Sequence, residues 1–276
     1  MVRVTVEERV DERNARASCS DGGGHRRLGR GRGSGHHPRR GRGVHYVALG
    51  DSYSAGTGAG NYGSSGACTR SANAYPQLWA NQHAPESFAF PACAWATTKD
   101  VLEKQVGTLS ATTTLVTITI GGNDVDFAGV MATCSTGGDQ ACLDKIASST
   151  AKAEAVLPGD LDRTYRAIAE RAPSARVIVL GYPRIFASGP AFCTISLTKR
   201  TALNKAADRL NAIIADRAAA AGFAFSAVAD EFAGHGVCSG APWLHGLRWY
   251  PLVESYHPTK AGQSSGYYPA LTSVTG

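Results

Sequence analysis

Long apolar runs are missing from this sequence. None approaches the ~18 residues of a membrane-spanning helix, so no transmembrane segment is expected. Net charge is missing from most of it too. The formal +6 belongs to residues 1–45, which hold 11 Arg against 5 Asp or Glu, and the remainder carries 17 basic and 17 acidic side chains. A neutral body lacks the basic face that nucleic-acid binding requires, so no nucleic-acid partner is expected for it. Cys-X-X-Cys pairs are absent, which removes the usual zinc and dithiol motifs. No internal repeat is visible. What remains is a 276-residue chain with 43% hydrophobic residues, enough for one α/β-sized domain plus a tail.

The tail is compositionally distinct. Residues 17–43 are Gly, Arg, His and Ser with almost nothing apolar, as in Gly22-Gly23-Gly24-His25-Arg26-Arg27 and Arg39-Arg40-Gly41-Arg42. Such a segment cannot bury a core and is expected to be disordered. One reading is an Arg/Gly-rich nucleic-acid arm. The other starts from the signal peptide that a secreted enzyme would carry here. This segment has no apolar central region, and the pattern switches abruptly to a strand at Val44. A wrong start site or a frame error over a leader accounts for both. The expected organisation is a tail over 1–43 and one folded domain over 44–276.

Within the domain, strand-like and helix-like segments alternate. Val44–Leu49, Phe88–Phe90, Thr113–Ile120, Arg176–Gly181 and Phe223–Val228 read as strands. Helices are expected over 74–82, from a Thr97 cap through Val106, over 161–171 up to Pro173, and over 198–221 with Gly222 past its end. Residues 126–144 read as an irregular excursion. The alternation predicts an α/β fold with a parallel sheet and helices on both faces.

The domain holds six cysteines, Cys68, Cys93, Cys134, Cys142, Cys193 and Cys238, beside Cys19 in the tail. An even number placed in loops points to disulfides and an oxidising compartment. Pairing by sequence neighbours gives Cys68–Cys93, Cys134–Cys142 and Cys193–Cys238, one of fifteen connectivities. Six free thiols is the alternative.

Three short stretches carry chemistry. In Gly50-Asp51-Ser52, Ser52 lies just past a strand end between glycines that let the backbone turn and a substrate approach. A serine at its free pKa is a weak nucleophile and needs a base and an anion-stabilising site. His257, in a loop near the C-terminus, is the base candidate, ahead of His45, His83, His235 and His245. Asn123, after a strand and two glycines, can offer its amide at the carboxyl edge of the sheet, where open α/β folds bind ligands. The backbone N–H of Ser52 is a second donor. Taken singly, each stretch is also an ordinary turn.

Together and in this order, Gly50-Asp51-Ser52, Gly121-Gly122-Asn123-Asp124 and Ser255-Tyr256-His257-Pro258 resemble blocks I, III and V of the SGNH/GDSL hydrolase family. The longer runs Gly50–Gly58 and Cys68–Pro76, with the cysteine pattern, are similar to its secreted actinomycete lipase, esterase and phospholipase A1 branch. The resemblance implies a three-layer α/β/α fold with a central parallel sheet. It implies Ser52 as nucleophile, His257 as general base and then acid, and Asn123 as an oxyanion donor. It requires no metal and no organic cofactor. The expected partner is a lipid or other ester, with transient lipid-surface contact, and the expected state is a secreted monomer.

Two positions depart from the branch. Block II usually reads Ala-Cys-Ser-Gly-Ala-Thr-Thr, its Gly N–H completing the oxyanion site. Here Trp95 stands in Ala92-Cys93-Ala94-Trp95-Ala96-Thr97-Thr98, and a non-Gly residue resists the positive φ that Gly adopts freely. Either the backbone keeps the donor and the ring reshapes the cleft, or activity is reduced. Second, Glu254 stands where many members place the Asp that orients the histidine, while in this branch a backbone carbonyl, here of Ser255, often does so. The first functional reading is a lipid acyl-ester hydrolase. A carbohydrate O-deacetylase or polyester hydrolase, and a weakly active binding protein, are the rivals. Of the late aromatics, Trp243, Trp249, Tyr250, Tyr267 and Tyr268 fit either lipid contact or packing.

Overall fold

The computed structural model describes residues 43–189 and 192–275. The tail expected over 1–43 lies outside the described residues except for Gly43, and Cys19 lies outside them too.

Among the described residues, five strands form one sheet: β1 (His45–Gly50), β2 (Ser87–Ala89), β3 (Leu115–Thr119), β4 (Arg176–Leu180) and β5 (Ala224–Ser226). Their order is β2-β1-β3-β4-β5 and every neighbouring pair is parallel. Almost every residue of β1, β3 and β4 is buried, whichever face it points to. Only a sheet covered on both sides permits that, so the architecture is three-layer α/β/α. After β1 the chain leaves to one side for β2 and returns to the other for β3. Strand order therefore reverses between β1 and β3, and a crevice opens at their carboxyl ends.

Among the described residues, seven α-helices accompany the strands: α1 (Ser52–Ala55), α2 (Tyr75–His83), α3 (Thr98–Asp100), α4 (Phe127–Thr136), α5 (Asp139–Arg171), α6 (Leu197–Ala220) and α7 (Tyr268–Thr275). The Thr97 cap is present as a reciprocal box, its hydroxyl facing the Asp100 N–H and the Asp100 carboxylate facing the Thr97 N–H.

Residues 126–144 are not irregular. Asp126 caps α4 through Gly129 N–H at 3.2 Å, and a Cys134–Cys142 disulfide ties the last turn of α4 to the first of α5. Nor does the helix that ends at Arg171 begin at Leu161. It begins at Asp139 and runs through Pro158. One proline removes one hydrogen bond. Burial of Ile146, Ala153, Leu157 and Leu161 along the same helix outweighs that loss. α7 was not signalled by the sequence pattern. The other disulfides join Cys68 to Cys93 and Cys193 to Cys238. Among the described residues no helix is long and apolar enough to cross a membrane, and no group of His, Cys, Asp and Glu could hold a metal ion.

Candidate active site

β1 must end in a sharp turn at Gly50. Its φ is +124°, and a Cβ there would lie 2.4 Å from the Thr119 carbonyl oxygen, so glycine is required. Asp51 then caps the single turn of α1, its carboxylate accepting from Tyr53 N–H at 3.0 Å. This cap fixes Ser52 as the first residue of α1, at the switch point of the sheet.

Asp51 is itself buried. It also accepts from the Thr119 hydroxyl at 2.9 Å and from the Tyr182 hydroxyl. Burial pushes its carboxyl up to about 6, against the opposing pull of these donors. The Tyr182 oxygen accepts from Gly122 N–H at 3.2 Å. One phenol thus ties the serine turn to the loop that carries Asn123.

His257 reaches the same point from the other end of the chain. Its loop is held by His245 N–H donating to the His257 carbonyl at 3.0 Å and Tyr256 N–H donating to the His245 carbonyl at 3.1 Å. The Tyr53 hydroxyl donates to the Tyr256 carbonyl at 2.8 Å. Gly58 permits this approach, because a Cβ there would sit 2.6 Å from the Pro258 oxygen.

Nε2 of His257 lies 2.7 Å from Ser52 Oγ, and Nδ1 lies 2.9 Å from the Ser255 carbonyl oxygen. A carbonyl only accepts, so Nδ1 carries the proton and Nε2 presents its lone pair to the serine hydroxyl. Burial pushes the imidazole down to about 4. The Ser255 carbonyl opposes that shift, His245 adds to it, and the Glu254 charge opposes it.

Glu254 does not touch the ring. Its carboxylate accepts from the Tyr62 hydroxyl at 2.6 Å and meets the Arg248 guanidinium at 3.3 Å. It braces the loop while the neighbouring peptide carbonyl faces His257.

Trp95 adopts φ +69°, in the left-handed region. The expected resistance of a non-Gly residue is overcome, and Trp95, 55% exposed, lines the cleft. The turn is pinned beside the Cys68–Cys93 disulfide by Ala94 N–H donating to the Cys68 carbonyl at 3.1 Å. Among the described residues the N–H groups of Ser52 and Trp95 donate to no protein acceptor. Asn123 donates one amide hydrogen to the Ala96 carbonyl at 2.9 Å and keeps the other. The three residues line the same groove, each with an N–H that no protein acceptor among the described residues takes.

Ser52, Asn123, Trp95 and His257 line one groove of about 380 Å³, walled by Phe127, Met131, Leu247, Trp249 and Leu252. Trp249 is on its rim. Tyr267 is instead core, stacked on Tyr75 at 5.4 Å, and Trp243 stacks on His235 at 3.6 Å. His45 bonds Ser87 on the neighbouring strand, and His83 stacks on Trp79. Sequence reasoning singled out neither Asp51 nor Tyr182. The usable signal was Gly181-Tyr182-Pro183, which follows β4 at the same sheet edge as Ser52.

Compared with known families, residues 48–264 match the GDSL-like Lipase/Acylhydrolase family. The chain is 54% identical to Lipase 1 of Streptomyces coelicolor over 227 residues, 82% of this chain and 85% of that protein. Among solved structures, it is similar to phospholipase A1 from Streptomyces albidoflavus NA297, at 50% identity and a TM-score of 0.82, covering 84% of this chain and 99% of that one. It is likewise similar to an extracellular lipase from Streptomyces rimosus, at 52% identity and a TM-score of 0.82, covering 84% and 100%.

Proposed function

The chain belongs to the GDSL-like lipase and acylhydrolase family, and we propose that Ser52 and His257 perform its ester hydrolysis on lipid acyl esters. Its reaction class is carboxylic ester hydrolysis of the lipase and esterase type. The observation that carries the residue assignment is the 2.7 Å approach of His257 Nε2 to Ser52 Oγ, with Nδ1 held by the Ser255 carbonyl.

The Ser52 hydroxyl gives its proton to Nε2 as the oxygen attacks the ester carbonyl carbon. The carbonyl π pair moves onto its oxygen, where the N–H groups of Ser52 and Trp95 and the Asn123 amide receive the charge. As the carbon–oxygen bond to the alcohol breaks, the imidazolium protonates the departing oxygen. An acyl group remains on Ser52. Water, deprotonated by the same nitrogen, attacks it, and the proton returns to Ser52 as the carboxylic acid leaves. The Ser255 carbonyl takes the place a carboxylate holds in other serine hydrolases.

Trp95 retains the backbone conformation that presents its N–H, which favours the enzyme reading over a weakly active binding protein. The apolar groove favours lipid acyl esters over acetylated sugars. Three disulfides and an extracellular relative support export from the cell. A monomer is the working unit in this reading. It meets a lipid surface through the exposed Trp249, Tyr250 and Leu252 beside the groove.

The test is a substrate panel of p-nitrophenyl esters, phosphatidylcholine and acetylated xylan, run with Ser52→Ala as control. Turnover of the fatty esters and phospholipid, abolished by Ser52→Ala, is expected. Turnover that survives Ser52→Ala would refute the assignment.

A further inference from the structure

The carboxyl ends of three adjacent strands meet on one phenol. Asp51 follows β1, Gly122 follows β3 and Tyr182 follows β4. The Tyr182 hydroxyl donates to the Asp51 carboxylate and accepts from Gly122 N–H at 3.2 Å. Burial, with the Asp51 charge beside it, pushes the phenol well above its ordinary range, so the hydroxyl keeps its proton and the direction of both bonds is fixed. Tyr182 is itself firmly held. Its N–H donates to Asn211 Oδ1 at 2.8 Å, and Asn211 Nδ2 donates to its carbonyl at 2.7 Å. Its ring meets that of Tyr53 edge-on at 5.1 Å.

Asn123 follows Gly122 directly. One side of it is secured by its own amide on the Ala96 carbonyl and by Asp124, whose carboxylate accepts from the Thr98 hydroxyl at 2.6 Å. Those contacts tie Asn123 to the turn of Trp95. The bridge through Gly122, Tyr182 and Asp51 ties it to the turn of Ser52. Neither the Tyr182 nor the Asp51 side chain bonds Ser52 Oγ or the His257 ring, so an effect of either on rate is indirect. We propose that Tyr182 is a positioning residue, acting through Gly122 to hold the Asn123 amide where the oxyanion forms. The proposal rests on the ester-hydrolase reading above and deepens it. Phenylalanine at 182 would fill the place of the ring but leave the buried Gly122 N–H without an acceptor. The loop then shifts to give that N–H a partner, and Asn123 shifts with it.

The test is a double-mutant cycle, read as kcat and KM for a soluble short-chain ester in the intact enzyme, Tyr182→Phe, Asn123→Ala and the double variant. Tyr182→Phe alone should lower kcat by about 10- to 100-fold with KM little changed, the loss that a small misplacement of a reacting partner brings. With Asn123→Ala already present there is no amide to misplace, and the same change should cost less than about threefold. A merely structural role would lower the thermal midpoint and cost the same factor in both backgrounds. Asp51→Asn keeps an oxygen for Tyr53 N–H but presents an N–H to the Tyr182 hydroxyl, so it breaks the bridge at its other end. It should show the same dependence on Asn123, and it decides the matter if Tyr182→Phe fails to fold. An unchanged kcat in Tyr182→Phe, or equal losses in the two backgrounds, would overturn the proposal. An intact enzyme that turns over no ester would instead defeat the ester-hydrolase reading itself.

Discussion

Acid inactivation is the most discriminating consequence of a buried, carbonyl-oriented base. Burial drives the His257 imidazole from the ordinary 6.5 to about 4, with no carboxylate on the ring to hold the proton. The base must be neutral in the free enzyme, so kcat/KM should fall with a midpoint near pH 4. At pH 5 roughly nine-tenths of such an imidazole is neutral, against about 3% of an ordinary one, a difference of about thirtyfold in rate. Stability must be tracked separately. The folded pKa of His257 lies below its unfolded value, so its contribution is whole above pH 6.5 and is lost as pH falls through about 4. Asp51 has the opposite sign. Its carboxyl rises from 3.8 to about 6, so its contribution is whole below 3.8 and is lost as pH rises through about 6. Each amounts to about 3 kcal/mol, so between pH 6.5 and 4 the two largely offset. The assay is initial-rate hydrolysis of a soluble short-chain ester, read from the released alcohol, beside thermal midpoints at the same pH values. Activity should persist at pH 5 and collapse near 4. An acid limb centred near 6.5 would refute a buried imidazole base.

Removing an oxyanion donor by Asn123→Ala should lower kcat by about 10²–10³ in steady-state assays, with KM for a short ester little changed. Glu254→Gln should keep kcat within about threefold, because the Ser255 carbonyl orients the ring, while the loss of charge opposite Arg248 lowers the thermal midpoint. A fall of roughly 10⁴ would make the carboxylate the orienter instead. Trp95→Gly should leave kcat within about threefold, since glycine accepts φ +69° freely and keeps the N–H. A tenfold rise would show that the indole obstructs the cleft.

The parallel sheet was readable because its central strands are short β-branched and apolar runs, and fully buried strands carry that signature at any register. Ser52, Asn123 and His257 were readable because the first two follow strand ends and the third lies in an ordered motif. Helix α4 and the first half of α5 were not. Gly137, Gly138 and Pro158 break the local pattern, and the compensating burial of α5, which packs against α6, acts between residues far apart in the sequence. The left-handed Trp95 was unreadable for the same reason. Intrinsic preference opposes it, and what holds it is the Cys68–Cys93 crosslink and the backbone bond beside it. Tyr182 escaped notice because a tyrosine after a strand says nothing of a carboxylate 131 positions earlier.

Covalent trapping tests the central claim most directly. An alkyl phosphonate p-nitrophenyl ester should release one equivalent of p-nitrophenol, abolish ester turnover in step, and leave its mass on the peptide that carries Ser52. His257→Ala should slow that labelling by at least about a hundredfold. Full inhibition with the adduct on another residue, or undiminished turnover after Ser52 is labelled, would contradict the account.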